Sequence, residues 1–398
     1  MEAEDRTGDS TIAGRLKEIE DKKLFRKRKS IESAQGRLVQ IDSIKLLNFC
    51  SNNYLGLANH PSLINAFQQA ANNYGVGSGA SSLVCGRSSA HVELEEEVAR
   101  FTGREKALLF SSGYLANLSI ISTLVEDSSD YIFQDKLNHA SMIDAALLSR
   151  GKLVRYPHVN VTALHEGLQR QSLNSKIVLS EAIFSMDGDV APLQLIAKLC
   201  GEQKASLVVD DAHGFGVFGH QGRGVLDLLQ LNQSDVPVMM ATFGKALGCS
   251  GAFIAGSNTL IELFVQKARP YIYTTAMLPA VAAAACEALN LLQSETWRQD
   301  NLFALIARFR SGAQQLSLQI GDSFSPIQPL LTGSAERAIK LSEILYNKGF
   351  LVTAIRPPTV PVNTSRLRIT ISAEHTEKDI DMLLEALSCA TTAIRDIK

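Results

Sequence analysis

Short apolar runs alternate with segments of helical periodicity through most of the chain. Five runs predict strands: KALLF, YIFQD, KIVLSEAIF, SLVVDDAH and VPVMMATFG. Between them, segments such as 91–101 and 190–204 place apolar residues at helical spacing. Strands that alternate with helices are typical of βαβ units, so the pattern predicts an α/β fold with a mostly parallel sheet.

Both ends of the chain depart from this pattern. Residues 12–29 are highly charged and carry apolar residues at helical spacing, which predicts an amphipathic helical arm. Beyond about residue 288, predicted helices at 297–318 and 335–348 precede RLRITIS, whose alternation predicts a strand with one polar face. We therefore expect three parts: an N-terminal helical arm (1–47), a large domain (48–288) and a smaller α+β C-terminal domain (289–398).

Composition and charge narrow the classes of function. Lys plus Arg (39) nearly balances Asp plus Glu (41), so the chain has no overall basic field for nucleic acid or an anionic membrane. Six cysteines without a Cys-x-x-Cys pair argue against a zinc site and a disulfide framework. The polar, acidic N-terminus and the lack of long uncharged apolar runs predict a cytoplasmic protein.

Two charged residues follow neighbouring predicted strands. Asp210 ends SLVVD, and Lys245 lies in ATFGKALGCSG, one strand further along. Both would reach the carboxyl edge of the sheet, where α/β proteins bind ligands. Pyridoxal phosphate (PLP) needs this pair, because a lysine holds it as a Schiff base and a carboxylate keeps its pyridine nitrogen protonated. The small residues around Lys245 would leave room for the planar cofactor. The alternative is that Lys245 is a surface ammonium group, which is the usual case for an arbitrary lysine after a strand.

The same region allows other interpretations. Glycines at 214, 216 and 219 match the dinucleotide fingerprint, but further glycines follow where the phosphate-binding helix would begin. Four side chains could ligate a metal, yet no second cluster completes a coordination sphere, and we expect no metal. Those four are Asp210, Asp211, His213 and His220.

Six motifs together carry a resemblance to a known family: TFGKALGCSGAF, VDDAHGFGVFG, SEAIFSMDGDVAPL, SSGYLAN, DKLNHAS and NFCSNNYLGLANHP. In order and spacing they resemble the α-oxoamine synthases, PLP-dependent transferases of fold type I (aspartate aminotransferase-like), from about residue 24 onward. The resemblance implies a decarboxylating acyltransferase. IRPPTVPVNTSRLRITIS is most similar to members that condense L-alanine with a pimeloyl thioester, on coenzyme A or acyl carrier protein, in biotin biosynthesis.

The resemblance assigns the cofactor site. It implies that Lys245 binds PLP and transfers protons, that Asp210 pairs with the ring nitrogen and that His139 lies over the ring. Two residues would contact the 3′-oxygen of the ring, and six would bind the phosphate. Of these six, either Thr274 or Thr275 would reach the phosphate across a homodimer interface. The first pair is Ser185 and His213, and the six are Ser112, Gly113, Tyr114, Thr242, Thr274 and Thr275.

It also assigns the substrate site. Arg368 would bind the carboxylate of the amino acid with Asn52 and His139 nearby, and Arg26 would contact the acyl substrate. Thr359 would border the α-carbon, within a proline-rich segment (355–361) that we expect to form a stiff extended wall. Phe215, Asn138 and Asn53 depart from the family pattern beside the site.

Three alternatives stay open from the sequence. A sister enzyme of the family would use glycine and a short acyl-CoA, and an aminotransferase would share the cofactor site. A scaffold without activity would be expected to lack Lys245 or Asp210, and both are present.

Overall fold

The computed structural model describes residues 8–21, 24–26, 28–171 and 175–394. The N-terminal part contains α1 (Asp9–Asp21), β1 (Leu38–Ile41) and β2 (Ile44–Asn48). The central part contains α2 (Pro61–Tyr74), α3 (Ser89–Thr102), β3 (Lys106–Phe110), α4 (Gly113–Leu124), β4 (Tyr131–Asp135), α5 (Ala140–Leu148), β5 (Lys152–Tyr156), α6 (Val161–Arg170), β6 (Lys176–Glu181), α7 (Leu193–Gln203), β7 (Ser206–Asp210), α8 (Val225–Leu228), β8 (Val238–Thr242), β9 (Ala252–Gly256), α9 (Asn258–Lys267), α10 (Arg269–Ile272) and α11 (Pro279–Ser294). The C-terminal part contains α12 (Trp297–Gln315), β10 (Ile327–Gly333), α13 (Ala335–Asn347), β11 (Phe350–Leu351), β12 (Thr353–Ile355), β13 (Ser365–Thr370) and α14 (Glu377–Ala393).

The central sheet has the strand order β3-β9-β8-β7-β6-β4-β5. β9 is antiparallel to both of its neighbours, and the other strands run in one direction. The five apolar runs are confirmed as β3, β4, β6, β7 and β8. Their carboxyl ends therefore lie at the same edge of the sheet.

Apolar side chains cover both faces of this sheet. In β7, Leu207 and Val209 belong to one hydrophobic cluster and Val208 to another, and each is at most 1% exposed. Successive side chains of a strand point to opposite faces, so a strand buried on both sides is apolar throughout. Polar side chains that follow such a strand come out at its end, at the edge of the sheet.

The N-terminal part is less helical than the sequence predicted. α1 ends at Asp21, where Leu24 N donates to Ile19 O at 2.9 Å, and residues 24–26 and 28–29 are not helical. Lys22, Lys23 and Lys27 lie outside the described residues. β1 and β2 form a hairpin whose turn places Asp42 and Ser43 at positive φ, a conformation that matches the twist of the strands. The prediction of a helical arm to residue 47 is therefore wrong for residues 38–47.

The C-terminal part is the predicted α+β unit. β10, β13 and β12 form an antiparallel sheet, and β11 adds to the β1–β2 hairpin. The polar face of β13 is covered rather than exposed, since Arg366 and Arg368 bind the loop after β6. The predicted boundary at residue 288 falls inside α11, and the division into domains stays a prediction. Among the described helices, none has both the length and the apolar character to cross a membrane.

Candidate active site

Predicted site residues converge on a cleft of about 270 Å³. It opens between the carboxyl edge of the central sheet and the strands β12 and β13. Ten residues line it: Cys50, Asn52, His139, Ser185, Met186, His213, Lys245, Thr353, Ile355 and Arg368. Six of these were predicted from the sequence, and they come from segments up to 316 positions apart.

Lys245 sits on a tight turn after β8. Gly248 N donates to Lys245 O at 2.9 Å, and Gly248 has a φ of 67°. A Cβ on Gly248 would lie 2.3 Å from Ala58 N, so this glycine is required by packing between two stretches of backbone. The sequence attributed the small residues here to room for a cofactor, and at Gly248 the cause is different. Thr242 donates to Gly251 O at 2.7 Å and closes the same turn.

Lys245 is half-buried in the cleft, and its amine has no direct partner. Within the described part of the chain, it makes no hydrogen bond or ion pair. Burial lowers its pKa to about 8, while Asp210 and Glu181 act to raise it. A pKa near 8 leaves a sizeable fraction of neutral amine at the pH of the cell. The group can therefore act as a nucleophile and as a base.

Asp210 and Asp211 are neighbours with different surroundings. Asp210 ends β7 and accepts hydrogen bonds from Asn117 Nδ2 at 2.9 Å and from Ala212 N at 3.0 Å. Asp211 is fully buried and accepts one from Val225 N at 2.8 Å. Neither carboxylate lines the cleft directly. A Cβ at Gly214 or Gly224 would lie 2.1 Å from an Asp211 carboxylate oxygen. Gly214, the first glycine of the pattern that resembled a dinucleotide fingerprint, and the later Gly224 thus make room for Asp211.

The two site histidines are both neutral in this environment. His139 caps α5, where Ser141 N donates to its Nδ1 at 3.2 Å, so the ring hydrogen lies on Nε2. Burial lowers the pKa of His139, with Lys245 adding to this and Asp210 opposing it. Burial and the charges of Lys245 and Arg368 hold the pKa of His213 well below its usual value.

Two polar residues hold this edge together and were missed from the sequence. Asn117 donates to both Asp210 and Ser141, which in turn contacts His139. Glu181 ends β6, opposite Asp210 in register, and its carboxyl group lies near the backbone N–H groups of His139 and Ser185. Burial and the charge of Asp210 raise the pKa of Glu181 well above its usual value. The position of Glu181 at the end of an apolar strand is the signal that could have identified it.

A hydrogen-bonded network connects the small domain to the sheet. Arg368 Nε donates to Ser185 O at 2.7 Å, and its Nη2 donates to Asn52 Oδ1 at 3.2 Å. The hydroxyl of Tyr54 lies 3.1 Å from Asn52 Oδ1 and 2.8 Å from His213 Nδ1. Tyr54 lies in the quoted motif NFCSNNYLGLANHP but was not predicted to be a site residue. For Arg368, the described residues leave Nη1 without a hydrogen bond.

The N-terminus of α4 lies at the same edge, after β3. Ser112 caps the helix by accepting from Leu115 N at 3.3 Å. The N–H groups of Gly113 and Tyr114 have no carbonyl one turn earlier in the helix to donate to. With the helix dipole, they form a site suited to a phosphate. The hydroxyl of Tyr114 donates to Asp144.

Nine predicted residues lie outside the cleft lining. Five of them end or follow β3, β7 and β8 at the same edge of the sheet, namely Ser112, Gly113, Tyr114, Asp210 and Thr242, and the other four come from other segments. Thr274 is half-buried and Thr275 is exposed. Arg26 Nη2 donates to Thr359 Oγ1 at 3.4 Å, and both side chains are exposed.

The proline-rich segment is not the extended wall that the sequence predicted. The chain turns at residues 357–359, and Thr359 N donates to Arg356 O at 3.1 Å. β12 ends at Ile355 just before this turn, and Ile355 is the residue of the segment that lines the cleft. Three prolines fix backbone torsions but do not by themselves keep successive residues extended.

The departures from the family pattern have structural causes. Phe215 is fully buried and packs edge-on against Phe101 and Phe253. Asn138 donates to Leu179 O at 2.9 Å, and Asn53 Oδ1 accepts from Ala58 N at 3.1 Å. These residues shape the core and the loops that carry site residues.

The side chains of the cleft fit PLP. A half-buried lysine without a direct partner, a carboxylate held by an amide, and a helix N-terminus with free N–H groups lie at one edge of the sheet. No group of three or more His, Cys, Asp or Glu side chains in the described residues is arranged to hold a metal ion.

Comparison with known proteins gives the same family. The model of the family "Aminotransferase class I and II" matches residues 44–387. The 8-amino-7-oxononanoate synthase of Cellvibrio japonicus is 52% identical over 391 residues, which are 98% of each chain. Serine palmitoyltransferase from S. paucimobilis with bound PLP-myriocin aldimine is 29% identical with a TM-score of 0.91, covering 98% of both chains. The 8-amino-7-oxononanoate synthase of Francisella tularensis is 30% identical with a TM-score of 0.78, covering 88% of this chain and 99% of that one.

These matches agree with the chemistry of the cleft. The chain therefore belongs to the aminotransferase class I and II family and, within it, to the 8-amino-7-oxononanoate synthases, PLP-dependent acyltransferases of the α-oxoamine synthase type.

Proposed function

We propose that this enzyme condenses L-alanine with a pimeloyl thioester, with loss of carbon dioxide and the free thiol, to give 8-amino-7-oxononanoate for biotin biosynthesis. The observation that carries the proposal is the convergence of Lys245, Asp210 and Arg368 around one cleft, in a chain 52% identical to a synthase of that name. Bound PLP supplies an electron sink for the carbanion at the α-carbon of the substrate.

Lys245 is the residue proposed to bind the cofactor and to move the proton at the α-carbon. Its lowered pKa supports this role, because a neutral amine is needed to take up a proton. Asp210 would keep the ring nitrogen protonated, held in place by Asn117 and Ala212 N. His139 would lie over the ring, and Ser185 and His213 would contact its 3′-oxygen.

The phosphate would be bound at the start of α4. The N–H groups of Gly113 and Tyr114 are free to donate to it, and Ser112 and Thr242 would add hydroxyl groups. In the structure, the Thr242 hydroxyl donates its hydrogen to Gly251 O. This hydroxyl would therefore have to rotate in order to donate to the phosphate.

Arg368 is proposed to bind the carboxylate of alanine through Nη1 and Nη2. Ser185 O accepts from Nε and Asn52 Oδ1 accepts from Nη2, which fixes the guanidinium group while Nη1 keeps both of its hydrogens in the described part of the chain, so little side-chain entropy is lost on binding. The acyl chain would run past Ile355 towards the rim, where Arg26 and Thr359 meet.

The partner arrangement is proposed to be a homodimer in the cytoplasm. The apolar side chains of Val76, Val84 and Tyr273 are 88%, 76% and 71% exposed. Tyr273 directly precedes Thr274 and Thr275, and the segment with Val76 and Val84 is joined to Thr275 by the Ser81–Thr275 bridge. Apolar exposure of this kind marks an interface, which would allow one of the threonines to reach the phosphate of the other subunit. The six unpaired cysteines are compatible with a reducing compartment.

Four substrate combinations test the activity: alanine or glycine with a pimeloyl or an acetyl thioester. We expect kcat/KM to be highest for alanine with the pimeloyl thioester. An Arg368→Lys variant should raise the KM for alanine more than the KM for the thioester, because lysine lacks the bidentate geometry. Faster turnover of glycine with the acetyl thioester would reject the proposal and indicate a sister activity.

A further inference from the structure

His158 lies outside the cleft but contacts two segments that carry site residues. Its Nδ1 is 3.0 Å from Asp135 Oδ1, and its Nε2 is 2.9 Å from Asp189 Oδ2. Asp135 precedes the turn to His139, and Asp189 lies in the loop that contains Ser185. We refer to His158, Asp135 and Asp189 as the outer bridge.

On one side, the outer bridge fixes the approach to His139. Asp135 ends β4 and is only 1% exposed. Its carboxylate also accepts Leu137 N at 2.8 Å and Val159 N at 2.7 Å. Leu137 is two residues before His139, so the carboxylate links the backbone at His158 to the turn that orients the His139 side chain.

On the other side, the outer bridge fixes the 184–190 loop. Phe184 N donates to Asp189 O at 3.0 Å, and Gly188 N donates to Phe184 O at 2.8 Å, which closes the loop on itself. The small domain holds the same loop through the bond from Arg368 Nε to Ser185 O at 2.7 Å. A displacement of Asp189 would therefore move both Ser185 and the anchor of Arg368.

The chemistry of His158 suits a permanent link. Its ring packs edge-on against Phe184, with 4.4 Å between ring centroids. Burial acts to lower the pKa of His158, but the hydrogen bonds to Asp135 and Asp189 outweigh it and raise the pKa to about 10. At neutral pH the imidazolium donates to both carboxylates, and hydrogen bonds between charged groups are the stronger kind.

We propose that His158 is a positioning residue that holds the His139 turn and the 184–190 loop in register from outside the cleft. Glu181 lies on the inner side of the same two segments, near the N–H groups of His139 and Ser185. The two site residues thus lie between this carboxyl group and the outer bridge. The predicted effect on substrate binding rests on the proposed role of Arg368.

Hydrogen exchange of the protein without substrate tests the link itself. His158→Phe keeps a ring against Phe184 but removes both donors, and Asp189→Ala removes only the loop side. We expect backbone exchange in peptides covering 136–142 and 184–190 to become about 10-fold faster in His158→Phe, the effect of losing one good hydrogen bond. In Asp189→Ala the effect should be largest at 184–190. His165→Gln, a change in α6 away from the outer bridge, should leave both peptides unchanged.

Steady-state kinetics distinguish positioning from general loss of stability. We expect His158→Phe and Asp189→Ala each to raise the KM for the amino acid about 10-fold, with the KM for the thioester changed less than about twofold. The double variant should be no worse than His158→Phe, since both remove the same link. Unchanged exchange in both peptides would overturn the proposal, as would equal rises in both KM values. Faster exchange with an unchanged KM for the amino acid would support the outer bridge and count against the role of Arg368.

Discussion

Asp210 and Asp211 allow the same chemical change to be made at two adjacent residues with opposite expected results. Asp210→Asn removes the negative charge that acts on both Lys245 and His139. In the wild type, one oxygen of Asp210 accepts from Asn117 Nδ2 at 2.9 Å and the other accepts from Ala212 N at 3.0 Å. An amide has only one oxygen, so its NH₂ group would face one of these two donors. Loss of a preorganised charge in an active site costs about 10²–10³-fold in turnover, and we expect kcat to fall by that factor.

Asp211→Asn is the matched control. Its Oδ2 accepts Val225 N at 2.8 Å, which an amide oxygen can still do, while Oδ1 has no hydrogen-bond partner among the described residues. Burial raises the pKa of Asp211 well above its usual value, so a neutral amide is a close replacement for this carboxyl group. We expect unfolding to become easier by at most about 1–2 kcal/mol, with kcat within about threefold of wild type.

The assay combines kcat from the alanine and pimeloyl thioester reaction with urea unfolding of each variant. We expect low turnover with reduced stability for Asp210→Asn, because one of its two donors then meets an NH₂ group, and high turnover with at most slightly reduced stability for Asp211→Asn. Near-wild-type turnover of Asp210→Asn, or an equal loss of kcat in both variants, would show that the two carboxylates have been assigned wrongly.

Two further predictions concern stability. His375 is 2% exposed and accepts Ser372 N at Nδ1, and burial lowers its pKa to about 4. Between pH 6.5 and 4 the unfolded chain therefore takes up a proton that the folded chain does not. Urea titrations should show that the free energy of unfolding falls by about 3 kcal/mol across this range, and that this fall is absent in His375→Asn. Retention of the full pH dependence in that variant would exclude His375 as its source. Gly248→Ala should lower the free energy of unfolding by more than about 2 kcal/mol and reduce PLP binding, because its Cβ would lie 2.3 Å from Ala58 N and the residue has a positive φ. Gly14→Ala in α1 is the control, because its Cβ would have open space, and it should be neutral or stabilising by up to about 1 kcal/mol. Similar unfolding midpoints for both variants would contradict this prediction.

The sequence was informative where function follows directly from a strand end. Asp210 and Lys245 each come just after an apolar run, so the parallel sheet alone brings them to one edge. The same rule would have identified Glu181, which ends β6.

Contacts between distant parts of the chain could not be predicted in this way. Tyr54 and Arg368 are 314 positions apart and meet only because the small domain docks on the cleft. The turn at residues 357–359 is set by local hydrogen bonding that the prolines do not reveal. α1 ends at Asp21, although the charged helical pattern continues to residue 29, because periodicity does not mark where a helix stops.

The central claim is that Lys245 holds the cofactor. Borohydride reduction of the PLP-loaded protein, followed by digestion and mass spectrometry, tests it directly, with Lys245→Ala as the control. We expect a reduced pyridoxyl group on the peptide containing Lys245 and no label at that site in the variant. A label on a different lysine, or an unlabelled Lys245 peptide at saturating PLP, would contradict it.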